Sequence, residues 1–199
     1  MKNKRNLSDK NSRYEIRIAG SGGQGIVVAG IILAEAAILD GRYAAQSQSY
    51  GPSVRGGPSI SEIILSDMEI DYPRVLELDT LVALTQEACD RHLLDLKTDG
   101  LVIVDSDLVQ RVIWEKVVSL PFQRIAQGVG EKRAINMAAL GAVVAFCPSA
   151  SRSSLATVMA RRLPSAKVVN LMAFEEALKL AHNLRGSLKF VDARDEFEI

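Results

Sequence analysis

A chain of 199 residues has room for one domain, or for one domain with an appended piece. Its 48% hydrophobic and 24% charged residues suit an ordinary core and surface, and 24 Lys+Arg offset 24 Asp+Glu, so no global field draws it to nucleic acid or an anionic membrane. Two cysteines, Cys89 and Cys147, cannot supply the four thiolates of an iron–sulfur cluster and read as buried free thiols in a reducing cytoplasm.

The first thirteen residues, MKNKRNLSDKNSR, carry five basic side chains and one acid. No apolar run follows, which excludes a secretory signal and leaves a basic, mobile tail over 1–13. Tyr14 to Ala19 is expected to be a first strand that ends at glycine. Gln24 to Leu39 is long enough for a helix, with Gly41 as its stop. Its most apolar part, Ile26 to Leu39, is too short to span a bilayer and contains Glu35, so the expected location is the cytoplasm. A helix apolar on nearly every side must be covered on more than one of them: by a sheet, and by more of this chain or a partner.

RYAAQSQSY reads as a second strand, closed by the loop GPSVRGGPS, and ISEIILS as a third. DTLVALTQ and GLVIVDSD are short apolar runs of the kind buried on both faces of a sheet. Thr85 is placed to cap a helix over 86–96 that KTDG ends, and KVVSLPF reads as one more strand. Asn136 to Phe146 is helical and rich in small residues, and SASRSSLATVMARRL has a serine-capped helical spacing. Leu171, Phe174, Leu178 and Ala181 form one stripe of a final helix. Strands alternating with helices imply an α/β fold, a Rossmann-like sheet with helices on both faces.

Gly20, Gly22 and Gly25 fit G-x-G-x-x-G between a strand and a helix, the context of a dinucleotide-binding turn. That fingerprint also needs an acid at the end of the second strand for the ribose hydroxyls. Gln46, Ser47, Gln48 and Ser49 stand there instead, and Asp40 comes too early. Lys-Ser/Thr is lacking after the loop, so it is no P-loop. Three readings remain open on pattern: an NAD(P) site, an anion- or subunit-facing turn, and glycines that serve packing alone.

The stretch SQSYGPSVRGGPS supplies a second shaped loop, with Ser49, Ser53 and Arg55 as donors. Arg55 could fork onto a phosphate or carboxylate, or be a solvated loop arginine. Both loops could rim one edge of the sheet, where ligands of open α/β folds collect. Asp105 and Asp107 read as helix caps rather than paired catalytic carboxylates. His92 and His182 have no triad-like neighbours, no Cys/His spacing suits zinc, and Trp114 with the few other aromatics forms no base-stacking stripe.

IAGSGGQGIVVAGIILAEAA, GRYAAQSQSYGPSVRGGPSISEIILSD, DTLVALTQEA and NMAALGA together resemble the gamma subunit of 2-oxoacid:ferredoxin oxidoreductases, from about Ile16 to the final helix near Leu184. The paired G-x-G-G-Q-G turn and Y-G-P-x-x-R-G-G loop carry the likeness. Val54 stands where the pyruvate type usually has a second arginine, so the loop is closer to the 2-oxoglutarate or general ketoacid type. The resemblance implies a non-catalytic subunit, inactive alone, of an enzyme that converts a 2-oxoacid and coenzyme A to acyl-CoA, carbon dioxide and reduced ferredoxin. It implies alpha and beta partner subunits, with a ferredoxin-like delta subunit in some complexes. Thiamine diphosphate, magnesium and the iron–sulfur clusters would lie in those partners, and ferredoxin would accept the electrons. This chain would hold no cofactor alone, but would assist assembly and contact coenzyme A through Gly22, Gly23, Gln24, Gly25, Ser49, Tyr50, Gly51, Ser53 and Arg55. The expected organisation is one gamma-type α/β domain over 14–185 and a C-terminal extension over 186–199. An NAD(P)-binding dehydrogenase domain and a purely structural scaffold are the alternatives.

Overall fold

The computed structural model describes residues 13–51 and 57–187, so the basic tail and nearly all of the C-terminal extension lie outside the described residues. The chain runs β1 (Tyr14–Ser21), α1 (Ile26–Leu39), β2 (Tyr43–Tyr50), β3 (Pro58–Ser66), β4 (Leu78–Ala83), α2 (Gln86–His92), β5 (Leu96–Asp105) and β6 (Val117–Leu120). Then come α3 (Phe122–Gly128), α4 (Ile135–Phe146), α5 (Arg152–Arg162) and α6 (Lys167–Ser187). Among the described residues the six strands form one sheet in the order β2-β3-β1-β4-β5-β6.

Strands β1, β4, β5 and β6 are parallel neighbours, as their apolar runs lead one to expect. The other half of the sheet departs from a Rossmann unit. β3 is antiparallel to both of its neighbours and lies between β1 and β2. The strand after α1 therefore does not pair with the strand before it.

Side-chain alternation splits the sheet into two faces. Ile16, Ile18, Ile63, Leu65, Val82 and Ile103 meet α1, α4, α5 and α6 in the larger core. Leu81, Ala83, Val102 and Val104 meet α2 and the segment around Val109 and Trp114 on the other side. Helices thus lie on both faces: α1, α4, α5, α6 and the short α3 on the larger core, α2 alone on the other. α1 is sandwiched between β1–β3 and the pair α4 and α5. The second cover that its all-round apolar character demands is supplied by this chain itself, and only its flank at Val28, Ile38 and Leu39 stays exposed.

Small residues set the closest approaches. Gly30 of α1 lies on Ser61 of β3, where a Cβ would collide with the hydroxyl. Gly141 of α4 presses on the α6 backbone, where a Cβ would collide with the Phe174 carbonyl. The NMAALGA stretch is therefore a helix–helix contact built on small side chains.

Two boundaries differ from the sequence reading. α2 stops at His92, and KTDG lies inside β5, because Leu96 is more deeply buried paired beside Leu78 than it would be on an exposed helix. KVVSLPF stops being a strand at Leu120, because Phe122 begins α3, which the sequence reading did not anticipate. The expected caps are present: Thr85 Oγ1 accepts from Ala88 N at 3.2 Å, Ser151 Oγ accepts from Ser154 N at 3.2 Å, and Gly41 closes α1 at φ +83°.

Candidate functional site

The turn after β1 is held partly by its own atoms and partly by segments that close on it. Gly23 and Gly25 take φ +96° and +71°, left-handed values that L side chains rarely adopt. Gln24 folds back across the turn: its Oε1 accepts from Ser21 N at 2.8 Å, and its Nε2 donates to Leu84 O at 3.2 Å. Gly20 is small because a Cβ there would strike that Oε1. Gln24 N donates to Ser21 O at 3.2 Å and Gly22 N to Gly57 O at 2.8 Å. Three of the N–H groups that a phosphate cradle would offer are thus engaged inside the fold.

Asn136, at the start of α4, completes the turn. Its Nδ2 donates to Gly25 O at 2.9 Å and its Oδ1 accepts from Met137 N at 2.9 Å. A Cβ at Gly25 would collide with Asn136 Nδ2, so that glycine is needed twice over. Sequence reasoning missed Asn136 as a site residue; the signal was one buried amide opening an otherwise apolar helix.

The second loop meets the first. Gly57 O receives the bond from Gly22, and Gly51 N donates to Pro58 O at 2.8 Å, which closes the loop base at the same end of the sheet. Gly22, Gly23, Gln24, Gly25 and Gly51 are therefore neighbours of one rim, and Ser49 and Tyr50 lead into it from β2 with Tyr50 65% exposed. Ser53 and Arg55 lie outside the described residues.

β1 delivers the chain to α1 on one face, and β4 delivers it to α2 on the other. The crevice between their ends is a topological switch point, the place where open α/β sheets receive ligands. A cleft of about 200 Å³ opens there, lined by Gly20, Ser21, Pro58, Thr85, Arg91 and His92. A second, of about 300 Å³, lies across the turn beside Gly23, Gly25, Arg133, Asn136 and Asn170.

The intervening β3 also decides against a dinucleotide turn. With neighbouring strands ~4.8 Å apart, the end of β2 stands ~10 Å in the sheet direction from the end of β1. No acid at the end of β2 would reach a ribose held at the glycine turn in the Rossmann manner.

Asp105, Asp107 and His92, the other polar residues weighed from the sequence, have structural partners. Asp105 accepts from Asp107 N and Gln123 N, both at 2.8 Å, and Asp107 accepts from Arg124 N at 3.2 Å. The pair caps the first turn of α3, and burial raises the Asp105 carboxyl above its ordinary value. His92 lies beside Arg17 and Asp95, with Arg17 also bonded to Glu62 at 2.5 Å. Burial, and then the Arg17 charge, push the imidazole below its ordinary value. Cys89 and Cys147 are buried free thiols, and desolvation pushes the Cys147 thiol up to about 11 beside Thr80 and Tyr14. Among the described residues no group of three or more His, Cys, Asp or Glu side chains is arranged to hold a metal ion, and no helix is long and apolar enough to cross a membrane.

Residues 15–180 match the family model described as pyruvate ferredoxin/flavodoxin oxidoreductase. The chain is 40% identical over 179 residues to the 2-oxoglutarate synthase subunit KorC of Methanocaldococcus jannaschii, a match that covers 86% of this chain and 96% of that protein. The crystal structure of a keto/oxoacid ferredoxin oxidoreductase gamma subunit from Geobacter sulfurreducens is 43% identical, with a TM-score of 0.74 over 84% of this chain and 98% of that one. A 2-oxoglutarate:ferredoxin oxidoreductase from Magnetococcus marinus shares the fold at 23% identity and a TM-score of 0.78, over 92% of this chain and 33% of that one.

Proposed function

The chain belongs to the pyruvate ferredoxin/flavodoxin oxidoreductase family as a non-catalytic gamma subunit of a 2-oxoacid:ferredoxin oxidoreductase complex, and from that premise we propose that its enzyme uses 2-oxoglutarate or a related 2-oxoacid and that its glycine rim helps place coenzyme A. The complex joins it to alpha and beta subunits, which hold thiamine diphosphate, magnesium and the iron–sulfur clusters, and passes electrons to ferredoxin. The chain alone has no turnover. Its site of action is the cytoplasm.

The observation that supports a role for the rim is the Gly22–Gly57 hydrogen bond, which joins the two motif loops at one end of the sheet. With Ser21, Gly22 and Gln24 N–H groups engaged internally, the turn acts as a rigid platform rather than a phosphate cradle. Arg55, on the loop so anchored, then carries the charge that meets a phosphate of coenzyme A. The relatives named for 2-oxoglutarate support the substrate.

The test is Arg55→Ala in the assembled enzyme. Loss of a charge-assisted contact of ~1.5–3 kcal/mol is expected to raise the apparent KM for coenzyme A roughly 10- to 150-fold. The KM for the 2-oxoacid is expected to hold. An unchanged coenzyme A dependence would overturn the rim assignment, and a strong preference for pyruvate over 2-oxoglutarate would overturn the substrate.

A further inference from the structure

β2 is an edge strand whose outer side meets no other strand among the described residues. Natural proteins guard such edges with lysine, proline, bulges or short length. The opposite edge, β6, is four residues long and guarded by brevity. β2 has eight residues, Tyr43 to Tyr50, with no charge and no proline, and pairs with β3 in an unbroken register. We propose that this edge is a self-complementary interface, on which two copies of the chain pair their β2 strands antiparallel about a two-fold axis at Ser47.

The register follows from the backbone. Gly51 N bonds to Pro58 O directly opposite, so Gly51 turns its peptide groups toward β3. Alternation then points those of Tyr43, Ala45, Ser47 and Ser49 inward, and those of Ala44, Gln46, Gln48 and Tyr50 outward. A two-fold axis perpendicular to the sheet keeps each face on its own side, so only pairs whose numbers sum to an even total can be opposed. Centring the axis on Ser47 puts Gln46 opposite Gln48 and Ala44 opposite Tyr50. The four outward residues of each copy then form hydrogen-bonded pairs, and Ser47 faces itself across a non-hydrogen-bonded pair.

This register also accommodates the two largest side chains of the strand. Tyr50 is 65% exposed and Tyr43 is 49% exposed. Each lies opposite a small residue of the other copy, Tyr50 over Ala44 and Tyr43 over Gly51, an arrangement in which a ring covers bare backbone. Shifting the axis by one residue instead sets Tyr43 against Ser49, or Tyr50 against Gln46. Like charges do not meet, because Glu62, the nearest acid on β3, is paired with Arg17 one strand further in. Covering about half of each of four tyrosines buries on the order of 400 Å². Even with the backbone ladder this stays short of the ~1,000 Å² of a specific interface, so the dimer is weak and concentration-dependent.

The test uses the full chain. Ser47→Cys places a thiol opposite its own copy, in the pair type with the closest Cβ atoms. Mild oxidation is expected to give a disulfide-linked dimer on a non-reducing gel, and Gln46→Cys and Gln48→Cys are expected to give little; the native thiols are buried and do not interfere. Gln48→Pro removes an outward N–H and leaves the bonds to β3 in place. It is expected to shift the wild-type dimer to monomer in sedimentation equilibrium at micromolar concentration with an unchanged far-UV spectrum. A wild-type chain that stays monomeric at high micromolar concentration would overturn the proposal. So would equal cross-linking at all three positions, or a Ser47→Cys chain that joins a different subunit in the assembled enzyme.

Discussion

Asp40, which ends α1, accepts hydrogen bonds from both the backbone N–H and the hydroxyl of Ser151, which starts α5, at 2.5 and 2.8 Å. Ser154 adds a third, at 2.5 Å. About a turn and a half earlier in the same helix, Glu35, the one charged residue of α1, is bonded to Arg161 and Arg162 at the far end of α5. α5 buries Leu155, Val158 and Met159 and otherwise shows polar side chains, so these two polar clamps fix it on the outer flank of α1.

Asp40→Ala is expected to cost about 1–2 kcal/mol, the value of charged hydrogen bonds discounted for an exposed carboxylate. Ser151→Ala should cost ~1 kcal/mol as a lost cap. The double variant should lose less than the sum, because the two groups share bonds. Urea unfolding measures all three, and full additivity would show that the clamp is not a unit.

Acid should weaken the fold in two separate windows. Hydrogen bonds from Arg162 and Arg161 hold the Glu35 carboxyl below its ordinary value. At Asp40, burial works the other way, but the bonds from Ser154 and Ser151 outweigh it and the net shift is also downward. The native chain binds fewer protons there than the unfolded one, so this stability is complete above a pH of ~4 and fades as pH falls through the lowered values. His92 is likewise lowered, by burial first. The unfolded chain takes up that proton at a pH near 6.5, so stability begins to fall there. Urea midpoints measured against pH should lose the upper window in His92→Gln and shrink the lower one in Glu35→Gln.

Gly23 and Gly25 test the turn by contrast. Both need a left-handed backbone, a cost of about 1–2 kcal/mol for alanine. Gly23 has open space around it, whereas a Cβ at Gly25 meets Asn136, which adds about 1–3 kcal/mol of overpacking. Gly25→Ala should therefore be the worse variant in chemical denaturation, and Asn136→Ala in the same chain should recover part of the difference. Equal losses would show that Asn136 yields freely.

The purified chain is expected to bind neither NAD(H) nor NADP(H) in calorimetric titration at micromolar affinity. The motive is the placement of β3 between the glycine turn and the end of β2, together with the turn's internally bonded N–H groups. Saturable micromolar binding would mean that the ribose is met by groups other than the Rossmann acid.

The order of elements, α3 apart, was legible because periodicity, caps and glycine stops are local signals: Thr85, Ser151 and Gly41 each do what their neighbours imply. The direction of β3 was not, since ISEIILS alternates in the same way whether its neighbours run with it or against it. The two motif loops could be placed on one rim because each follows a strand. What lay beyond the sequence was the partner of each glycine. Gln24 reaching across to Leu84, and Asn136 arriving from 111 residues away, are tertiary events that no spacing records. The Gly30–Ser61 contact, which sets how closely α1 lies on the sheet, is of the same kind.

The antiparallel wedge of β3 has a bearing on how the chain is made. β1 and β2 flank a strand synthesised after both of them, so neither finds its sheet neighbour on that side until residue 66 has left the ribosome. The seven residues between Tyr50 and Pro58 close a local hairpin at once, whereas Tyr14 must wait for Leu65. The nascent amino-terminal third therefore emerges with an apolar helix and an unclaimed first strand, and gains its sheet in one late step when the hairpin docks.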